Sequence, residues 1–364
     1  MKKMFCLLLI VSLQLIASAE EILKNIQVGG IFFVDSEGYI YTNSDEHSIT
    51  RYSPSGEPLL TIGRAGEGPS DIKRLGGFGI NPLDNNIYVT EFYGGNKWIS
   101  KFSTGGKYLG EWNCELDWKK WEAISSIKFD GKGNIYFVST HSLPSRFKDF
   151  LIGGVENTII KFSPQGKKLR EIYHFKSDVY VEKGGKGNLT IPLSNILYYT
   201  VYNDNIIVRE SRDDFIQVFD LEGNLQKKIA LPFRKEKVTQ EDIDAWDKRI
   251  RTSTWGKQGM SEGWLDMNYW KKRLPFPDYK PVSAYPLYID SLGNLYNMKY
   301  PGMNDTSIKC ARINLSTGVT SIFNFKPGES LLAAWKNYFF ILKEDDNEDC
   351  VILKIEEKEF FKRK

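Results

Sequence analysis

The sequence predicts an all-β chain: a six-bladed β-propeller of four-stranded antiparallel blades, with a partly helical insertion between blades four and five. Three observations predict it. A short apolar strand, a tight polar turn and a strand around Ile-Tyr recur six times along the chain. A second hairpin with an equally short turn follows nearly every copy. The equivalent aromatic residues Tyr41, Tyr88 and Tyr136 stand 47 and 48 residues apart. Period-two alternation between turn clusters is the strand signal. Four antiparallel strands repeated about every 45 residues are the propeller pattern.

Blade one reads Ile31-Phe32-Phe33-Val34, Asp35-Ser36-Glu37-Gly38, Tyr39-Ile40-Tyr41. Blade two has Phe78-Gly79-Ile80, a turn from Asn81 to Asn86, then Ile87-Tyr88-Val89. Blade three has Ser126 to Phe129, Asp130-Gly131-Lys132-Gly133-Asn134, then Ile135-Tyr136-Phe137. Blade four runs from Tyr198 to Tyr202, turns at Asn203-Asp204-Asn205 and continues Ile206-Ile207-Val208. Blade five has Leu287-Tyr288-Ile289, Asp290 to Asn294, then Leu295-Tyr296. Blade six is the weakest copy, Leu331 to Trp335, Lys336-Asn337, then Tyr338-Phe339-Phe340. The second hairpins turn at Ser53 to Gly56, Ser103 to Gly106, Ser163 to Gly166, Asp220 to Gly223 and Asn314 to Gly318. Blade six lacks a good fourth strand, since Phe360-Phe361 runs straight into Lys362-Arg363-Lys364. The segment Ile22 to Val28 is predicted to supply it, tying the last blade to the first and covering an open edge.

The chain opens with a basic Met1-Lys2-Lys3, an apolar run from Met4 to Ile16, and Ala17-Ser18-Ala19. That is a signal peptide over 1–19, and the run is shorter than the roughly 20 residues a membrane span needs. The expected organisation is therefore a propeller over 20–364 carrying an insertion at 234–285, periplasmic or secreted. No Cys stands at the cleavage point, so no lipid anchor is expected, and no later stretch is apolar enough to cross a membrane. The 49 basic and 46 acidic residues nearly balance. A nucleic-acid partner, which needs a basic excess, is not expected; a monomer is. Cleavage would leave three cysteines, Cys114, Cys310 and Cys350. An odd number in an exported protein leaves at least one free thiol or an intermolecular bond, and a core this large does not need a disulfide scaffold. Cys310 and Cys350 take matching places in blades five and six. Packed sheets lie about 10 Å apart, whereas a bridge needs Cα atoms within about 7 Å.

With strands labelled A to D within each blade, the A–B and C–D turns share one face of the disc. The B–C and D–A connections share the other. Every A–B and C–D turn is tight. The long segments His141 to Asn157, Lys176 to Ser194 and Arg234 to Tyr285 all fall in the second class. Long loops on a rigid scaffold carry function, so the looped face is predicted to be the binding face. In the largest insertion, Thr239-Gln240-Glu241-Asp242 reads as a capping box with Asp in place of Glu. Ile243, Trp246 and Ile250 then mark one helical face. Trp255, Trp264, Tyr269 and Trp270, followed by Pro275-Phe276-Pro277, either pack the insertion onto the disc or stack on a sugar or peptide.

No catalytic set emerges. The three histidines, His47, His141 and His174, have no metal-ligand spacing. There is no Gly-x-Ser-x-Gly elbow and no phosphate-cradling loop. The most distinctive segment is the D–A loop Gly63-Arg64-Ala65-Gly66-Glu67-Gly68-Pro69-Ser70-Asp71. Its Arg64, Glu67 and Asp71 either converge on the axial opening or pair with one another.

The repeated Asp-x-x-Gly-Asn-Ile-Tyr phrase, with Gly-Arg-x-Gly-Glu-Gly-Pro after blade one, resembles bacterial exported six-bladed propellers related to NHL repeats. The resemblance covers nearly the whole chain after residue 19 and implies the fold, not an activity. Many such proteins are lipoproteins, and this chain departs from them in lacking the lipidated Cys. Glu67-Gly68-Pro69 is also similar to the Glu-Gly-Pro of calcium-dependent gluconolactonase-like propellers. That second likeness implies an axial Ca²⁺ with Glu67 as a ligand and oxygen donors such as Glu91, Glu210 or Asn297 beside it. The later Asp-Gly ligand motif of that family is not evident here.

The expected function is a non-catalytic binding module without a cofactor, recognising a protein, peptide or glycan on the looped face. Its candidate contacts are Arg64, Glu67, Asp71, Glu91, His141, Arg209, Glu210 and Trp255. The alternative is a calcium-dependent lactonase-like hydrolase with the metal as Lewis acid.

Overall fold

Six antiparallel sheets make up the structure, a computed structural model, arranged as the blades of a ring. It describes residues 20–24, 31–43, 45–91, 98–113, 115, 123–147, 150–182, 188–190, 193–261, 266–268, 271, 276–302, 307–344 and 350–363. The expected signal peptide, Cys114, Trp264, Tyr269 and Trp270 lie outside the described residues.

A first strand, β1 (Glu20–Lys24), precedes blade one, which is β2 (Phe32–Val34), β3 (Ile40–Asn43), β4 (Ile49–Tyr52) and β5 (Pro58–Ile62). Blade two is β6 (Leu75–Asn81), β7 (Asn86–Glu91), β8 (Trp98–Ser103) and β9 (Tyr108–Asn113). Blade three is β10 (Ala123–Phe129), β11 (Ile135–Phe147), β12 (Phe150–Phe162) and β13 (Lys168–Glu182), with a short fifth strand β14 (Asn188–Thr190). Blade four is β15 (Leu197–Tyr202), β16 (Asn205–Glu210), β17 (Phe215–Asp220) and β18 (Leu225–Ala230). The insertion that follows carries α1 (Gln240–Thr252) and α2 (Thr254–Ser261). Blade five is β19 (Tyr288–Ile289), β20 (Asn294–Met298), β21 (Lys309–Asn314) and β22 (Thr320–Asn324). Blade six is β23 (Glu329–Trp335), β24 (Tyr338–Glu344) and β25 (Cys350–Glu356), followed by a short helix α3 (Glu357–Phe360).

The ring closes as predicted, with the N-terminal segment as outer strand of blade six. The strand sits slightly earlier than expected: β1 pairs antiparallel with β25, Glu20 opposite Lys354 and Lys24 opposite Val351. Ile22 and Leu23 are buried in the seam between blades six and one. Phe360 and Phe361 form no strand. They pack against Phe323 and Phe339 at the seam of blades five and six.

The core is six seams between neighbouring blades, not one centre. The alternation of strand B explains this. Ile87 and Val89 point into the cluster shared with blade one, while Tyr88 points into the cluster shared with blade three. Ile206 and Val208 face blade three, and Ile207 faces blade five. Both sides of strand B are buried, so it reads as an unbroken apolar run. The outer strand meets water and reads differently: β18, Leu-Gln-Lys-Lys-Ile-Ala, is exposed along most of its length, and its lysines guard an open edge.

The Asp of the repeated phrase has a physical role. In blade five, Asp290 Oδ1 accepts from the backbone N–H groups of Leu292 and Asn294, both at 2.9 Å. Its Oδ2 accepts from Asn294 Nδ2 at 2.8 Å and from the Tyr296 hydroxyl at 2.9 Å. Asp130 repeats all four bonds with Lys132, Asn134 and Tyr136. Asp35 and Asp84 keep the bond to the tyrosine at 3.2 and 2.9 Å. One side chain thus closes the A–B turn and satisfies the buried phenol of strand B.

Candidate functional site

Two of the three segments expected as loops are strand. β11 and β12 continue their ladder without a break from Ile135 opposite Phe162 to Phe147 opposite Phe150. β13 stays paired with β12 out to Glu182, and β14 adds to its far side. Strand β10 begins at Ala123, opposite Thr140. From His141 onward, then, blade three rises off the looped face as a sheet, by roughly 24 Å at about 3.4 Å per residue. Pro144 lies in this extension and pairs with Gly153. Beyond Thr140 strand β11 has no described neighbour on its β10 side, and an edge strand tolerates a missing N–H. The segments read as loop from their length between tight turns, and the cross-strand ladder that makes them sheet is non-local.

The third segment is helical where predicted. Thr239 caps α1: its hydroxyl accepts from the Asp242 N–H, and the Asp242 carboxylate accepts from the Thr239 N–H at 2.8 Å. Trp246 packs edge-on against Phe276 at 5.5 Å between ring centroids, which is packing within the insertion. Trp255 falls on α2, and its side chain is not described. The end of the insertion is a strap laced across blades four and five. The N–H groups of Val282 and Ser283 bond the Ser211 carbonyl at 2.6 and 3.2 Å, and Tyr300 N–H bonds the Val282 carbonyl at 3.1 Å. Lys280 pairs with Asp242 at 2.9 Å, and Lys299 with Glu236 at 2.8 Å.

Beneath this strap lies Arg209, near the looped-face end of strand B in blade four. Its side chain is fully buried. Nη1 donates to Asn297 Oδ1 of blade five, and Nη2 donates to the Tyr285 carbonyl at 2.6 Å. The guanidinium stacks over Tyr198, 4.5 Å from the ring centroid. No carboxylate pairs with it among the described residues. Burial pushes its pKa down to about 10. Arg209 Nε, Asn297 Nδ2 and Ser283 Oγ are buried without a hydrogen-bond partner. Tyr285 itself is held at φ +72°, a costly conformation for a bulky residue.

Glu210, the next residue, faces the opposite seam. It accepts from the Tyr173 hydroxyl at 2.5 Å and from Asn195 Nδ2 at 2.9 Å. Arg209 and Glu210 therefore serve different blade interfaces, although they are adjacent in sequence.

The Gly63–Asp71 loop uses its charges on itself. Arg64 Nε and Asp71 Oδ1 are 2.7 Å apart, and Asp71 Oδ2 accepts from Gly68 N–H at 2.7 Å. The Arg64 guanidinium and that N–H hold the Asp71 carboxyl below the usual carboxylate range. A Cβ on Gly66 would strike the same carboxylate, so glycine is required there. Glu67 pairs with Lys73 at 3.1 Å. A cleft of about 210 Å³ brings Glu67 and Asp71 together with Glu91, Ser100 and Glu111. Ser100 and Glu111 belong to the outer strands β8 and β9, so this acidic cleft lies over the outer half of blade two, not over the axis.

The histidines are spread out. His47 Nδ1 lies 3.1 Å from the Ile72 carbonyl. His141 is half-buried in the ladder opposite Glu156. His174 lies between Glu156 and Glu171 at 3.7 and 3.4 Å. Among the described residues no three His, Cys, Asp or Glu side chains gather as a metal would require. Asn297, a possible calcium ligand by sequence, gives its oxygen to a guanidinium, so it does not fit that role. Cys310 and Cys350 are both buried, and no disulfide joins them. No described helix is long and apolar enough to cross a membrane. Sequence reasoning named Arg209 but missed Ser283 and Tyr285, which no local pattern distinguishes.

No protein-family model matches the chain. No curated protein matches it either. Solved structures do. A Bacteroides fragilis protein described as exported is 13% identical, with a TM-score of 0.53 over 93% of each chain. A member of the DUF4221 family from Bacteroides vulgatus is 10% identical, with a TM-score of 0.55 over 92% of this chain and 94% of that one. The chain is a six-bladed propeller. At these identities the likeness speaks for the architecture alone.

Proposed function

We propose that the protein is an exported binding module, periplasmic or secreted, that recognises a protein, peptide or glycan on its looped face. One observation carries this reading: the long connections between strands all fall on that face. Among the described residues the opposite face has tight turns, such as Asp130 to Asn134 and Ser163 to Lys167, and the start of α3, whose Glu357 N–H bonds the Asn337 carbonyl. The looped face bears the raised sheet of blade three, the helical insertion, the strap over buried Arg209 and the acidic cleft at Glu67. Export follows from the basic, apolar and small-residue succession of residues 1–19.

The test is a screen of the purified protein on glycan and peptide arrays, repeated with two variants. The first replaces Arg64 and Glu67 by Ala together. The second places Glu at Lys132 and Lys167 on the turn face. Binding weakened by the first change and kept through the second supports the reading. Binding that survives the first and is lost in the second overturns it.

A further inference from the structure

Among the described residues, three buried side-chain atoms without a hydrogen-bond partner belong to Arg209, Asn297 and Ser283. All three side chains are fully buried. Arg209 and Asn297 touch each other directly. The strap holding Ser283 bonds the carbonyl of Ser211, two residues beyond Arg209. Buried polar groups are normally satisfied, so three orphans around one contact form a pattern.

Their chemistry is one-sided. Arg209 Nε and Asn297 Nδ2 can only donate, and Ser283 Oγ is able to donate. The guanidinium carries five N–H donors, yet its acceptors are only the Asn297 oxygen and the Tyr285 carbonyl. Both acceptors are neutral. A buried cation without a counter-charge is strongly unfavourable. The groups that act electrostatically on Arg209 are the phenols Tyr198 and Tyr288, which offer no negative charge near neutral pH. Arg249 of α1, an exposed residue, acts electrostatically on Tyr285 and Tyr300 and adds a second positive charge nearby. Among the described residues the locus has donors in excess and no carboxylate pairs with Arg209; Asp242, which acts on Tyr300, is paired with Lys280.

We infer that Arg209, Asn297 and Ser283 form a binding site for a carboxylate group of the ligand, between blades four and five beneath the strap. The inference rests on the looped-face reading for where the ligand lies. A carboxylate suits the donors: a guanidinium fork binds two oxygens side by side, and one further amide and one hydroxyl complete a single monoanion. The strap is the entrance. A carboxylate that reaches Arg209 takes the place of the Tyr285 carbonyl, and Tyr285 then leaves its left-handed conformation. Arg249 at the surface draws the anion in.

The test is the melting temperature of the purified protein in a zwitterionic buffer free of chloride and carboxylates, titrated separately with sodium acetate and sodium chloride. The comparison is Asn297→Asp, which places a carboxylate of the same shape beside Arg209. General salt effects are common to both proteins. For the wild type the expected result is a saturable rise of several degrees with acetate and none with chloride. Asn297→Asp is expected to melt higher than wild type without added anion and to be unresponsive to acetate. Ser283→Ala, which keeps the charge, is expected to weaken half-saturation by acetate about threefold to tenfold. An equal response to chloride makes this a halide site and overturns the ligand carboxylate. Parallel curves for wild type and Asn297→Asp overturn the anion site altogether. Neither failure touches the array result, which reads Arg64 and Glu67 on blades one and two.

Discussion

Asp290→Ala is the sharpest test of what the repeated phrase is for. Asp290 is 2% exposed and accepts four hydrogen bonds, from Leu292 N–H, Asn294 N–H, Asn294 Nδ2 and the Tyr296 hydroxyl. Alanine leaves all four donors without an acceptor. Tyr296 is fully buried and Asn294 is 5% exposed, so water cannot readily replace the lost partner for those two. A buried donor left unsatisfied costs about 1–3 kcal/mol, and two such donors together give about 3–5 kcal/mol with some relaxation. That exceeds most single substitutions. Asp220 makes the same kind of turn in blade four, bonding Glu222 N–H, Asn224 N–H and Asn224 Nδ2. Its turn is exposed to water, so Asp220→Ala is expected to lose far less. The assay is urea unfolding followed by tyrosine and tryptophan fluorescence, with both variants compared at equal slope. If Asp220→Ala costs as much as Asp290→Ala, burial is not what gives the phrase its weight, and the reasoning fails.

Four further predictions concern other parts of the chain. Leu23→Asp puts a charge into the seam where β1 closes blade six, and is expected to lower the urea midpoint and promote aggregation through the exposed β25 edge, read by light scattering. Burial pushes the Cys310 thiol well above its usual range, so at pH 8 it is expected to resist iodoacetamide in the native state and react only after unfolding, as mapped by mass spectrometry. Thr239→Ala removes the α1 cap and should cost about 1 kcal/mol. Burial of Asp242 opposes its charged form, but the Thr239 N–H and Lys280 outweigh this and hold its pKa below the usual value. A carboxyl depressed on folding stabilises above its unfolded pKa and loses that contribution as pH falls through the folded one. Hydrogen-exchange protection of α1 should therefore persist from pH 7 to about 5 and weaken below about pH 4.

What the sequence makes legible here is whatever repeats. The phrase around Asp130, Asn134 and Tyr136 recurs because each copy solves the same local problem, a tight turn beside a buried phenol. Its spacing therefore gives blade count, strand order and the face on which insertions must fall. Ring closure by β1 was legible for a related reason: blade six lacked a strand, and Ile22 and Leu23 were apolar residues without another place. The extension of blade three read as loop from its length alone; Pro144 and Gly153-Gly154 are local breakers, and the cross-strand ladder that pairs them is a non-local cause. The candidate site belongs to the same class. Arg209 and Glu210 are neighbours in sequence, yet strand pleating sends one to blade five and the other to blade three, and no window of residues contains both Arg209 and Asn297. Period-two geometry alone could have separated them: Arg209 shares the parity of Ile207, which faces blade five, and Glu210 shares that of Val208. A charged residue two positions beyond a seam residue, on the same side of a strand buried on both sides, is the one sequence-level sign that a propeller seam is doing something other than packing. By that sign both Arg209 and Glu210 stand out in blade four, and Arg209 lies on the side of Ile207, Leu295 and Ala311, which are apolar and supply no counter-charge.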